Sequence, residues 1–170
     1  EAIQNKEKNF VSCVLYLHND GKNIREFLKT VCGTMEQNFE KYEIVCVNDC
    51  CMDDTIEEIH RYLEESNTRH VVSLINLSFY QGVEMAMNAG RDLAVGDFLF
   101  EFDRCLLDFE PSLIMDIYHK ALEGYDVVAA APKRDVAFTS RLFYAVYNLG
   151  SRNTHKLRQE RFRIICRRAV

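Results

Sequence analysis

Little in this chain marks a boundary between domains. Proline occurs twice and glycine seven times in 170 residues, and tryptophan is absent. With so few turn formers, and those scattered, no flexible interdomain linker is expected. An apolar stretch near Glu1 of the secretory kind is missing, as is any run of about 18 apolar residues, so as it stands the chain is expected neither to enter nor to span a membrane. The seven cysteines are odd in number and form no paired C-x-x-C motifs. That argues against a disulfide framework and a zinc module, and for reduced thiols inside a cell. An excess of basic residues is missing too: the formal net charge of -5 argues against a nucleic-acid partner.

What is present is enough apolar residue for one compact domain. At 48% hydrophobic content, a chain of this length buries roughly two thirds of the surface its unfolded form exposes. The charge is unevenly spread. Up to Pro132, 24 acidic residues face 11 basic ones; from Lys133 onward, ten basic residues face two acidic ones. The acidic part and the basic tail should therefore meet different ligands.

The apolar periodicity alternates between short β-leaning runs and helical spacings. Val11 to Leu17 reads as a first strand buried on both faces, stopped by the turn formers His18-Asn19-Asp20-Gly21. Asn23 is placed to cap a helix with Ile24, Phe27, Leu28 and Val31 on one face. There follow a strand from Glu43 to Asn48, a helix from about Asp54 through Leu63, and a strand around Val71 to Asn76. After a turn at Gln81-Gly82 come a helix from Val83 to Leu93, a strand from Asp97 to Phe102, a helix opened by Pro111 and running to Leu122, and a strand from Asp126 to Ala130. Beyond Pro132 lie an aromatic helix around Phe138 to Leu149 and a short strand from Phe162 to Cys166. Such alternation predicts an α/β fold with a mostly parallel sheet and helices on both faces.

Two strands run into carboxylates, Val45-Cys46-Val47 into Asn48-Asp49 and Phe98-Leu99-Phe100 into Glu101-Phe102-Asp103. Acids at the rim of a parallel sheet suit a cation or a sugar nucleotide. A carboxylate such as Asp49 can accept the N-H of a uracil or guanine ring, while Asp53, Asp54 and Thr55 suit a helix start; as the plainer alternative, these acids serve only as caps. Small residues at Gly82, Ala86 and Gly90 let one helix face pack closely. Asp103 offers a hard oxygen ligand, and magnesium commonly takes only one or two from protein, leaving the rest to phosphate and water. A flavodoxin-like or response-regulator-like domain would also carry acids at strand ends.

Taken in order, these segments resemble the family 2 glycosyltransferases of GT-A (Rossmann-like) fold. Tyr16-Leu17-His18-Asn19-Asp20 is similar to that family's Pro-x-Tyr-Asn-Glu, and Val47 to Thr55 to its Val-Asp-Asp-Gly-Ser-x-Asp-x-Thr. The series Asn76, Gly82, Ala86, Asn88, Gly90 resembles its N-x-G-x-x-x-A-x-N-x-G helix, and Gly96 to Cys105 its Gly-Asp segment ending in Asp-x-Asp. The tail, with Lys133-Arg134, Arg141 and Phe162-Arg163-Ile164 followed by Arg167, resembles the subgroup that moves a sugar onto polyprenyl or dolichol phosphate.

The resemblance implies one domain over residues 1–170, with a nucleotide-binding part at about 10–105 and an acceptor-side basic part at about 106–170. It implies inverting transfer of a sugar from a UDP- or GDP-sugar to a lipid-phosphate or glycan acceptor, with Mg2+ or Mn2+ as cofactor, at the cytoplasmic face of a membrane. Tyr16, His18, Asn19, Asp20, Asp49, Gln81, Gly82, Asn88 and Arg104 would bind the nucleotide sugar. Asp103 would hold the metal, and Asp103, Arg134, Arg141 and Arg163 would serve the transfer. The chain stops just after the Phe-Arg strand, where such relatives continue into further helices and often membrane spans, so a longer parent protein is expected. The Phe138 to Leu149 helix could rest on a membrane surface through its aromatic face.

The chain also departs from the pattern. Asn48 replaces the first acid of the Asp-Asp pair, leaving Asp49 as the base-reading carboxylate. Cys105 stands where the second acid of Asp-x-Asp belongs, and a thiol is a poor magnesium ligand. Glu101, Asp108 or Glu110 would then have to assist Asp103, or Arg104 offset part of the diphosphate charge. Alternatively the domain is a degenerate, non-catalytic relative that binds nucleotide or a protein partner. The tail is rich in arginine and poor in acids, which suits a phosphate acceptor: its oxygen is already ionised near neutral pH and needs no general base.

Overall fold

A computed structural model describes residues 6–66, 68–130 and 162–170. The elements are β1 (Val11–Leu17), α1 (Ile24–Asn38), β2 (Tyr42–Asn48), α2 (Thr55–Glu65), β3 (Val72–Asn76), α3 (Val83–Leu93), β4 (Phe98–Phe102), α4 (Ser112–Leu122), β5 (Val127–Ala130) and β6 (Phe162–Cys166), closed by a 3-10 turn at Arg167–Ala169. The expected aromatic helix of the basic tail falls outside the described residues.

Six strands form one sheet in the order β3-β2-β1-β4-β6-β5. β1 to β4 are mutually parallel, and β6 runs antiparallel to both β4 and β5. The mostly parallel sheet expected from the alternating pattern is thus present, with a single reversed strand. This order also removes the flavodoxin-like and response-regulator-like alternative, whose strands run 2-1-3-4-5.

Strand alternation divides the core in two. Cys13, Leu15, Leu17, Ile44, Cys46, Phe100, Phe102 and Ile164 face α1, α2 and α4, where they meet Phe27, Leu28, Ile59, Ile114 and Tyr118 in the larger cluster. Val14, Val45, Val47 and Leu99 point to the opposite face and meet Ala86 and Met87 of α3 in a smaller one. β1 is buried on both faces, as its unbroken apolar run predicts.

Gly90 lets α3 lie close to the sheet: a methyl group there would overlap the side chains of Val14 and Val47. Among the described residues, α3 is the helix on its face, and it packs on β1 and β2. The same face of β4, β6 and β5 therefore borders a cleft beside α3. The sequence expectation of helices on both faces holds, but with three helices on one side and one on the other.

One local expectation fails. Asn23 occupies the N-cap of α1, yet its side chain makes no capping hydrogen bond. The carbonyl of Asp20 accepts the N-H groups of Asn23 and Ile24 instead.

Candidate functional site at the carboxyl ends of the strands

The chain crosses from the β1–β2–β3 half of the sheet to β4 by way of α3, on the opposite face from α1 and α2. Such a reversal opens a crevice at the carboxyl ends of the strands, between β1 and β4, the usual ligand position in open α/β sheets. The candidate residues fall there in two groups.

The first group joins the ends of β1 and β2. The Asp49 side chain is fully buried. Its carboxylate accepts the backbone N-H of Gln81 at 2.7 Å, the N-H of Gly82 at 2.8 Å and the Tyr16 hydroxyl at 3.0 Å. Burial, then the bond to the Asp49 carboxylate, raises the Tyr16 hydroxyl pKa, so the phenol keeps its proton and donates it. Gly82 holds φ +86°, a left-handed conformation that glycine adopts without steric cost. Asp49 thus clamps the turn that opens α3.

His18 Nδ1 lies 2.7 Å from the Asp49 carbonyl oxygen. A carbonyl only accepts, so Nδ1 carries the proton. The His18 ring lies 4.8 Å from that of Tyr80, which is largely exposed. Asn19 Oδ1 accepts the N-H of Met52 at 2.7 Å, Thr55 Oγ1 accepts the N-H of Asp20 at 2.7 Å, and Asp53 accepts the N-H of Gly21 at 2.9 Å. These bonds tie the loop after β1 to the loop after β2. Desolvation raises the Asp20 carboxyl pKa, against the opposing N-H of His18. The Asp53 carboxyl lies below its usual value because bonds from Thr55 and Gly21 outweigh a small desolvation.

The second group lines a cleft of about 390 Å³, bounded by Val83, Met87, Asn88 and Arg91 of α3 and by Glu101, Asp103 and Arg163. Sequence reasoning named Asn88, Asp103 and Arg163 here. It missed Arg91 and gave Glu101 the wrong task. Glu101, 3% exposed, is bound by Arg91 through Nε and by Arg163 Nε at 2.6 Å. Two arginines hold it, so it is not an auxiliary metal ligand. A glutamate inside an otherwise apolar strand, and an arginine one helical turn after Asn88, were the available signals.

Asp103 and Glu101 border the same cleft, as strand alternation requires. Asp103 is more than half exposed and 4.0 Å from Arg104, which also reaches Asp108 at 3.8 Å. Partial desolvation raises the Asp103 carboxyl pKa, against the pull of Arg104 and Arg163. Cys105 turns the other way, buried in the larger core cluster with its thiol donating to the Tyr16 carbonyl. Among the described residues no group of three or more histidine, cysteine, aspartate or glutamate side chains could hold a metal. Asp103 alone presents a hard oxygen to the cleft, which meets the lower limit for a magnesium-type ion completed by phosphate and water. Arg134 and Arg141 lie outside the described residues. All seven cysteines are free thiols.

The glycosyl transferase family 2 model matches residues 12–166. An uncharacterised glycosyltransferase of Synechocystis sp. is 30% identical over 142 residues, covering 80% of this chain and 43% of that protein. An undecaprenyl-phosphate 4-deoxy-4-formamido-L-arabinose transferase of Edwardsiella ictaluri is 29% identical over 153 residues, covering 89% of this chain and 46% of that protein. The chain thus spans under half the length of these relatives. Among solved structures, a mannosyltransferase from Pyrobaculum calidifontis in complex with GDP-Man and Mn2+ superposes with a TM-score of 0.69 at 18% identity, covering 95% of this chain and 46% of that one. The fold is GT-A, and with the family model spanning nearly the whole chain, this protein belongs to glycosyl transferase family 2.

Proposed function

We propose that this domain binds a UDP- or GDP-sugar along the carboxyl ends of β1, β2 and β4 and passes the sugar, with inversion, to a polyprenyl phosphate. The observation that carries the reading is the convergence of Asn88, Asp103 and Arg163 on one cleft at the point where the strand order reverses. The nucleoside would lie against the β1 and β2 ends, near Tyr16, His18, Asn19, Asp20 and the Gln81-Gly82 turn, with Asp49 as the carboxylate nearest the base. The exposed Tyr80 ring beside His18 offers a base a stacking surface.

The diphosphate would lie toward Asp103, Asn88 and Arg104. Mg2+ or Mn2+ held by Asp103 would supply positive charge for the departing diphosphate. Arg163, with Arg134 and Arg141 of the basic tail, would grip the acceptor phosphate through forked hydrogen bonds. The acceptor's anionic oxygen forms a bond to the anomeric carbon as the bond to the diphosphate breaks, and the nucleoside diphosphate leaves with the electron pair. No described side chain is required to take a proton. The similarity to a transferase named for undecaprenyl phosphate supports a lipid-phosphate acceptor over a glycan.

Among the described residues no helix is long and apolar enough to cross a membrane; meeting a lipid acceptor would call for peripheral contact at the membrane surface, on its cytoplasmic face. Calorimetric titration with UDP and GDP, with and without Mn2+, tests the donor site, and absence of binding in every combination would refute it. Turnover with a panel of nucleotide sugars and undecaprenyl phosphate, with the product anomer read by NMR, tests transfer and inversion.

A second reading is a non-catalytic domain that binds nucleotide without transfer. The inward-facing Cys105 favours it. Nucleotide binding with no turnover on any donor and acceptor would select it.

A further inference from the structure

The least explained feature of the cleft is a buried carboxylate held by two arginines. Glu101 on β4 meets Arg91 through Nε, and through Nη2 at 3.3 Å, and meets Arg163 of β6 at 2.6 Å. A carboxylate taken out of water needs one well-placed cation; this one has two, so the trio carries one net positive charge. Arg91 Nη1 is fixed further by the Asn88 side-chain oxygen. Because Nε, Nη1 and Nη2 of Arg91 all have assigned partners, this guanidinium has one orientation. Arg91, Arg163 and Asn88 also line a second cavity of about 400 Å³ that runs over β5 and β6 past Val127 and Ile165. The two guanidinium groups thus form a shared wall between two cavities.

We propose that Arg91 and Arg163 form a binding element for a phosphate or diphosphate group, and that Glu101 is the positioning residue that orients both. Glu101 does not touch the ligand. It fixes two cations whose remaining N-H donors border the cleft, so that an anion meets an arranged pair of forks rather than two mobile side chains. The proposal rests on the donor-binding reading above only for the identity of the anion.

The role of Glu101 has a signature that simple electrostatics does not share. Glu101→Gln makes the cleft more positive by one charge, and by Coulomb attraction alone an anion should bind more tightly. If Glu101 positions the arginines, the same change weakens binding, because the amide offers one acceptor oxygen and turns N-H groups toward the second guanidinium.

The experiment is calorimetric titration of the full chain with inorganic pyrophosphate in the presence of EDTA, with folding checked by circular dichroism. The parent is expected to bind. Arg91→Gln and Arg163→Gln should each weaken binding about tenfold or more, and Glu101→Gln should weaken it severalfold despite the added charge. Arg61→Gln on α2, which removes one positive charge elsewhere, should leave it unchanged. Should Glu101→Gln fail to fold, Arg91→Lys decides, since it keeps the charge but loses the fork and should still weaken binding.

No pyrophosphate binding by the parent, or affinity unchanged or raised in Glu101→Gln, overturns the proposal; so does full affinity in Arg91→Lys. Titrations with UDP and GDP run in parallel separate the two readings. Pyrophosphate bound and lost in these variants, with no nucleotide bound, would sink the donor site alone. Nucleotide bound with equal affinity in all variants would sink this element alone.

Discussion

The thiol of Cys105 donates to the main-chain carbonyl of Tyr16 at 3.6 Å, across the seam between β1 and the segment leaving β4. Position 105 therefore belongs to the core, although in sequence it aligns with the second acid of a metal motif. Burial pushes the thiol pKa well above its ordinary value and keeps it protonated.

Restoring an acid at this position is therefore no simple repair. Cys105→Asp should destabilise the fold by roughly 3 kcal/mol or more, because it buries a carboxylate without a cation. Burial raises the folded pKa of such a carboxyl above its unfolded value, so the loss should grow as pH rises and shrink toward mild acid. Urea denaturation at two pH values measures it. Parent-like stability at both would show that the side chain swings into the cleft.

Asp103 points the other way and should behave oppositely. Its carboxyl pKa is raised, so its ionised form is disfavoured in the folded protein, and Asp103→Asn should leave stability unchanged or slightly higher at neutral pH. Any Mn2+-dependent gain in nucleotide affinity should disappear in this variant. In the parent that gain should fade as pH falls through the raised pKa, above the range where an ordinary aspartate protonates. Titrations with and without Mn2+ across pH would show it.

Asp49 should matter to the loop before it matters to any ligand. Asp49→Asn keeps the shape but offers one acceptor where three donors converge, and should cost about 2 to 4 kcal/mol. The amides of Gln81 and Gly82 should exchange with solvent faster than in the parent, with little change in the centre of β1. Unaltered exchange at those two amides would show that the turn holds without its clamp.

Gly90→Ala should test the approach of α3 to the sheet. The added methyl overlaps Val14 and Val47, and the substitution should lower stability by about 1 to 3 kcal/mol despite alanine's better helix propensity. Thermal denaturation measures the loss. A gain in melting temperature would mean that the helix can lift off without penalty.

The strand and helix ends were largely legible in the sequence because burial on one or both faces writes its own period into the chain. Val11–Leu17, Val83–Leu93 and Phe162–Cys166 match their expected bounds. Whether Phe162–Cys166 pairs parallel or antiparallel was not legible, since a short buried strand has the same composition either way. The candidate site was legible as a location, through acids at strand ends, and less so as a set of tasks. Glu101 looked like a helper for Asp103, and only the arrival of Arg91 from α3 and Arg163 from β6 made it the centre of an ion cluster.

The sequence alone determined the α/β alternation, the family resemblance and which strands end in carboxylates, because these follow from local periodicity and spacing. Tertiary structure decided what each polar side chain meets: that Asp49 clamps a turn, that Cys105 faces the core, and that Glu101 lies between two arginines. Those outcomes depend on residues 10 to 89 positions apart in the chain, and no local pattern encodes a partner that the fold brings in from another strand or helix.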